Sequence, residues 1–171
     1  MGYIKVPDQF VHPLFYKEGV EIEIKEDLSL EDTSSLPFIF DMLHSKQIHI
    51  KIIPWMQKAE TVKAIVNLWK EKQESISSLH KERNKEQIKV ETPGAIALYM
   101  NFLFWINGKP VSKLTNLDTE LETLFWKPVN VTERLSFILN KPYLYHSFVQ
   151  LNELFTETEK LFVKVKMKEK R

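Results

Sequence analysis

Ala95-Ile96-Ala97-Leu98-Tyr99-Met100-Asn101-Phe102-Leu103-Phe104-Trp105-Ile106 is the stretch on which the fold turns, because Asn101 is its only strongly polar residue. A run of that length that is apolar on every side reads as a helix buried in a protein core. It is too short to span a bilayer, which needs about 20 such residues. The sequence around it is punctuated to match. Thr92-Pro93 stands where a cap and a first helical residue belong, and Asn107-Gly108-Lys109-Pro110 supplies a glycine for a left-handed turn with proline beyond.

Amphipathic stripes on both sides supply the covering elements. After Pro54, the positions Trp55, Ala59, Val62, Val66 and Trp69, extended by Ile76 and Leu79, recur at helical spacing and predict a long helix with both tryptophans on one face. The densely charged residues 80–91 read as an exposed connection. A C-terminal stripe, Leu144, Phe148, Leu151, Phe155, Thr158, Phe162 and Val165, predicts a last helix lying along the core. Shorter helices are expected after Ser34 or Ser35, through Phe38 to Leu43; from Asp118 to Phe125 and Trp126, stopped by Lys127-Pro128; and through Leu135 to Leu139, where Asn130-Val131-Thr132-Glu133 has the form of a capping box. Residues 12–19, with Pro13 at a first helical position and Gly19 just past the end, read as one more. Only Val20-Glu21-Ile22-Glu23-Ile24 and Ile48-His49-Ile50-Lys51-Ile52 alternate with period two, and they are expected to pair with each other. The fold class is therefore all-α, mainly helical: about six or seven helices around a central apolar helix, with one small two-stranded ribbon.

Composition fits a soluble globular chain. Of 171 residues, 43% are hydrophobic and 27% charged, and 24 basic residues against 23 acids leave a net charge of +1. With no linker, low-complexity segment or repeat, residues 1–171 read as a single domain with a short basic C-terminal tail, 166–171. The absence of cysteine removes disulfides, thiolate metal sites and thiol nucleophiles. Met1-Gly2-Tyr3-Ile4-Lys5-Val6 carries neither the basic start nor the apolar run of a signal peptide, so the expected location is the cytoplasm.

Several segments, His12-Pro13-Leu14-Phe15-Tyr16, Pro54-Trp55, Phe104-Trp105-Ile106-Asn107-Gly108-Lys109-Pro110-Val111, Lys127-Pro128-Val129-Asn130-Val131-Thr132-Glu133-Arg134-Leu135 and Tyr145-His146-Ser147-Phe148-Val149-Gln150-Leu151, resemble the YpoC-like family of low-GC Gram-positive bacteria. The resemblance spans most of the chain and implies a small cytoplasmic bacterial protein. It brings no catalytic residues with it. Family members tend to be encoded near genes for DNA replication, repair and wall synthesis, which implies a DNA-maintenance setting by association alone.

The residues themselves offer little catalytic chemistry. Histidines 12, 44, 49, 80 and 146 form no His-Glu-x-x-His or Glu-x-x-His pair, and Asp41 with His44 supplies two metal ligands without a third. Four glycines leave no phosphate loop, and there is no Gly-x-Ser-x-Gly elbow. Asp118 and Glu122, four apart, sit where acids complement a helix dipole. No catalytic residue, metal site or cofactor is assigned. Twenty aromatics with Lys63, Lys70 and Lys81 on one helix face suggest a nucleic-acid surface, but Glu60, Glu71, Glu74 and Glu82 are interspersed. One polar constellation stands beside strongly apolar segments: Asn107, Lys109, Arg134, Tyr145, His146 and Gln150. Two readings of it stay open: satisfaction of buried backbone at helix ends, or the lining of a pocket for a peptide or protein. The expected function is a non-enzymatic adaptor with a protein partner and no membrane contact; the alternative is a nucleic-acid-associated accessory protein in DNA replication or repair.

Overall fold

The computed structural model describes residues 2–170, and in it the apolar stretch is the buried half of helix α3, Lys85–Ile106. Every residue from Ala95 to Ile106 is buried. Around it stand α1 (Ile39–Ser45), α2 (Lys58–Lys81), α4 (Leu117–Glu122), α5 (Val131–Asn140) and α6 (Tyr145–Glu169), so more than half of the chain is helical. Helices α2 and α6 both pack on α3, and α5 packs on α6. The Trp69 ring of α2 stacks on Phe155 of α6 with centroids 4.0 Å apart, and Phe155 also meets Tyr99 and Phe102 of α3. The hydroxyls of Tyr99 and Thr158, both buried, bond each other at 2.9 Å, which satisfies two polar groups within the α3–α6 contact. One core runs from Ile4 to Val165.

Several local expectations are corrected. Helix α3 begins at Lys85, not after Thr92-Pro93: Asn84 accepts from Gln87 N at 3.2 Å as its N-cap, and the helix continues through Pro93. The charged run is thus the ends of α2 and α3, reversed at Arg83 in the left-handed region (φ 56°). At Gly94 a Cβ would lie 2.6 Å from the Ser34 carbonyl oxygen, because a 3-10 segment, Leu30–Ser34, presses on α3 there. Residues 12–19 form turns, not a helix: His12 N donates to Tyr16 O and Tyr16 N to His12 O, with Pro13 inside the turn. Trp55 precedes α2, whose first residue is Lys58, and its ring lies against Trp105 and His44 rather than on the face of Trp69.

The ribbon exists with a different partner. Strand β1 (Gly2–Lys5) pairs antiparallel with β2 (Glu21–Ile24), placing Ile4 opposite Ile22 and Lys5 opposite Glu21. Tyr3-Ile4-Lys5-Val6 alternates as well, and it is nearer in sequence than residues 48–52, so pairing closes a shorter loop. Asn130 takes a left-handed backbone (φ 58°), incompatible with the extended conformation a capping side chain needs, so the capping box does not form. Helix α4 stops at Glu122, short of Phe125 and Trp126. The basic stretch after Val165 continues α6 to Glu169 as an exposed turn, and Arg171 lies outside the described residues.

Candidate functional site

The six polar residues singled out by sequence separate into three places. Arg134 on α5 reaches α6: its Nε donates to Gln150 Oε1 at 3.1 Å and its Nη2 to Glu157 Oε2 at 2.6 Å, with Glu153 at 3.8 Å and the Val129 carbonyl taking Nη1 at 3.2 Å. Arg134 and Gln150 are brought together as a clasp between two helices. Asn107, at the end of α3, holds the backbone of Trp126 from both sides: its Oδ1 accepts from Trp126 N and its Nδ2 donates to Trp126 O, both at 2.8 Å. The same amide donates to Leu103 O, closing the helix. Lys109 is exposed in the following loop; its backbone N–H donates to Phe104 O at 3.2 Å, and among the described residues no hydrogen bond or ion pair engages its side chain. Tyr145 and His146 open α6, exposed, with Tyr145 against His80 of α2 and His146 edge-on to Phe137 of α5.

Tyr145 and His146 belong to the most conspicuous surface feature, the connection between α5 and α6. Pro142 bars continuation of α5, and the buried Ser147 hydroxyl donates to the Lys141 carbonyl, fixing the turn from α6 backward. Between these two anchors Tyr143, Leu144 and Tyr145 are presented to solvent with exposures of 36%, 47% and 60%. Leu144 is therefore the extended residue before α6, not a core position of its stripe. Phe137, also exposed, adjoins them through His146.

Three clefts meet on this ridge. One, of about 430 Å³, has Lys85, Lys89 and Lys141 around an apolar lining of Ile88, Pro142, Tyr143 and Leu144, and no acid lines it. A second, of about 590 Å³ between α2 and α6, is lined by Tyr145 and Phe148 together with Glu74, Lys81 and Glu153. The third, of about 370 Å³, lies between Tyr143 and the turn at His12. Burial at these edges depresses the pKa of His80 and of His12 below the ordinary histidine value. Lys85, Lys89, Lys141 and Tyr143 are not among the site residues predicted from sequence; the available signal is Lys141-Pro142-Tyr143-Leu144-Tyr145, three bulky apolar residues immediately after a helix-stopping proline.

Asp41 is 1% exposed and, among the described residues, pairs with no cation; its Oδ1 accepts from Asn101 Nδ2 at 2.8 Å, and its Oδ2 from Trp105 Nε1 at 3.0 Å and Val111 N at 2.7 Å. Desolvation raises its pKa to about 6 against the opposing pull of those three donors. His44 is exposed on the other side, packed on Trp55, so the two residues do not converge. Among the described residues no group of three or more His, Asp or Glu side chains is placed to hold a metal ion, and no helix is long and apolar enough to cross a membrane.

Comparison with known proteins identifies a family. The model of a family described as "YpoC-like protein" matches residues 59–170. A relative from Bacillus subtilis (strain 168), "Uncharacterized protein YpoC", is 32% identical over 112 residues, covering 66% of this chain and 68% of the relative. No solved structure matches. The matched region takes in α3, the Arg134 clasp and the whole α5–α6 ridge, and omits the ribbon and α1.

Proposed function

The chain belongs to the YpoC-like family, and on that premise we propose that it is a non-enzymatic docking module of the cytoplasm. Its α5–α6 ridge binds an acidic segment of a partner protein that carries an apolar anchor. One observation carries this reading: Tyr143, Leu144 and Tyr145 stand consecutively in solvent beside a cleft whose charged groups are all lysines. Contiguous apolar surface is uncommon on a monomer away from a contact site. Tyrosine suits such a site, with an apolar ring for burial and a hydroxyl that stays solvated. The lysine rim selects partner sign and speeds encounter, while the apolar groups supply the burial energy. The Arg134 clasp, with Gln150 and Glu157, has a positioning role, holding α5 against α6 so that the ridge keeps its shape.

A second reading draws on the same lysines: with Tyr143 they would meet a phosphate backbone while a base stacks on the ring, as in a nucleic-acid accessory protein. Photo-crosslinking in the native cell separates the two. A photoreactive residue at Leu144 should capture a distinct protein that is absent when the same group replaces exposed Val163 on α6, and Lys85→Glu with Lys89→Glu should abolish the capture. Crosslinks to nucleic acid at Leu144, or identical products from both positions, would overturn the adaptor reading.

A further inference from the structure

We propose that residues 48–52 are a strand-addition edge, on which an extended, acidic segment of a partner protein pairs backbone to backbone. This surface shares no residue with the α5–α6 ridge and stands independently of it. The sequence Ile48-His49-Ile50-Lys51-Ile52 has strand periodicity, and the structure keeps it: the three isoleucines are half-buried against the core while His49 and Lys51 face solvent. Yet among the described residues no strand pairs with it. The segment is tied at its ends, by Ile48 N donating to Leu43 O at 3.0 Å and Ile53 N to Gln57 Oε1 at 3.0 Å. Between those ties, among the described residues, no hydrogen bond within the chain engages the backbone of residues 49–52. Although the chain bends at Lys51, a run of backbone N–H and C=O groups without partners in the chain, with one face already half-buried, is a template for another strand.

A cleft of about 130 Å³ runs alongside, between residues 48–52 and residues 24–28 that continue from β2, over Phe40 and Leu43. That is close to the size of an apolar cavity, roughly 150 Å³, that takes up a benzene ring, so an incoming strand has a place for one inward apolar side chain. Strand β2 is paired with β1, and among the described residues no strand pairing joins it to residues 48–52 across the cleft. Charge fixes the occupant's chemistry. No acid occurs from residue 42 to residue 59, whereas His44, Lys46, His49 and Lys51 are all exposed there; Glu26 on the opposite wall is the single acid lining the cleft, beside Lys25. A strand alternating acidic and apolar residues sets its acids beside His49 and Lys51 and its apolar residues toward the core. Val20-Glu21-Ile22-Glu23-Ile24 has that alternation, and its last four residues form β2 in this same fold.

The test uses the full chain, isotopically labelled, with a capped heptapeptide alternating Glu and Ile. Its controls are a Lys-for-Glu peptide and two versions N-methylated on alternate amides. Amide hydrogen exchange should slow about tenfold or more at every second residue of 48–52 with the Glu peptide, not with the Lys peptide, and one N-methylation register alone should abolish the effect. Lys51→Glu, a change at an exposed side chain, should reverse the preference between the Glu and Lys peptides. Protection that is absent, that falls elsewhere on the protein, or that survives both N-methylation registers would overturn strand addition. Protection that grows with protein concentration and needs no peptide would show a second copy on this edge and overturn the partner-protein assignment.

Discussion

Replacing Asp41 tests whether the core is organised around a buried, unpaired carboxylate. In Asp41→Leu the branched shape is kept, but the methyls are larger than the oxygens they replace, and Asn101 Nδ2, Trp105 Nε1 and Val111 N lose their acceptor inside the protein. Each stranded buried donor costs about 1–3 kcal/mol, so the variant should lose several kcal/mol. Asp41→Asn should be far milder. Its carbonyl can take the place of Oδ2 and keep Trp105 and Val111, while its amide group meets Asn101, whose Oδ1 is buried without a partner and can turn to accept. The two replacements should differ by at least about 2 kcal/mol. The pH dependence has a definite sign. Burial raises the Asp41 pKa from 3.8 to about 6, so the folded state binds the proton more tightly than the unfolded chain. Stability from this group is fully present below the unfolded value and is lost as pH rises through the folded one. Relative to Asp41→Asn, the wild type should therefore gain about 2 kcal/mol between about pH 7 and about pH 4.5. Urea unfolding followed by tryptophan fluorescence at both pH values measures the difference. A gap that stays constant, or that moves against the wild type on acidification, would refute the reasoning.

Leu103→Ala, at a fully buried position of α3, should cost about 2–5 kcal/mol in urea unfolding. Gly94→Ala should destabilise by about 1–3 kcal/mol although alanine favours a helix, because its Cβ would meet the Ser34 carbonyl at 2.6 Å; a gain in thermal midpoint would show that the 3-10 segment yields easily. Deleting residues 166–171 removes the Lys58–Glu169 ion pair and leaves the buried face of α6, which ends at Val165, so the loss should stay below about 1 kcal/mol. Duplex or single-stranded DNA should bind more weakly than about 10 μM with or without that tail, measured near physiological salt.

The helical fold was legible because burial imposes its period on the sequence. Phe148, Leu151, Phe155, Thr158, Phe162 and Val165 had to recur at helical spacing to lie on one core, and α6 follows them. Local signals were weaker where tertiary packing had an alternative. Pro93 looked like a helix start, yet the residues on both sides bury enough apolar surface for α3 to run through it, with Asn84 as the working cap. Residues 20–24 were readable as a strand but not their partner, since alternation carries no address and β1 lay closer in the chain. Of the candidate site, the Arg134–Gln150 pairing follows from two facing helices, whereas the presentation of Tyr143, Leu144 and Tyr145 depends on the Ser147-to-Lys141 bond, a contact across six residues that no periodicity encodes. Asp41 was visible as one acid in Phe38-Ile39-Phe40-Asp41-Met42-Leu43, but its three donors come from residues 101, 105 and 111.

Fluorescence anisotropy with two labelled probes of equal negative charge, an acidic peptide bearing one phenylalanine and a single-stranded DNA, tests the central claim most directly. For a protein-docking ridge, the peptide should bind at least about tenfold more tightly than the DNA near physiological salt, and Leu144→Asp, at an exposed position, should remove that advantage without changing the unfolding midpoint by more than about 0.5 kcal/mol equivalent. Equal affinities set by charge alone, unaffected by Leu144→Asp and falling steeply with salt, would contradict it and assign the ridge to phosphate contact.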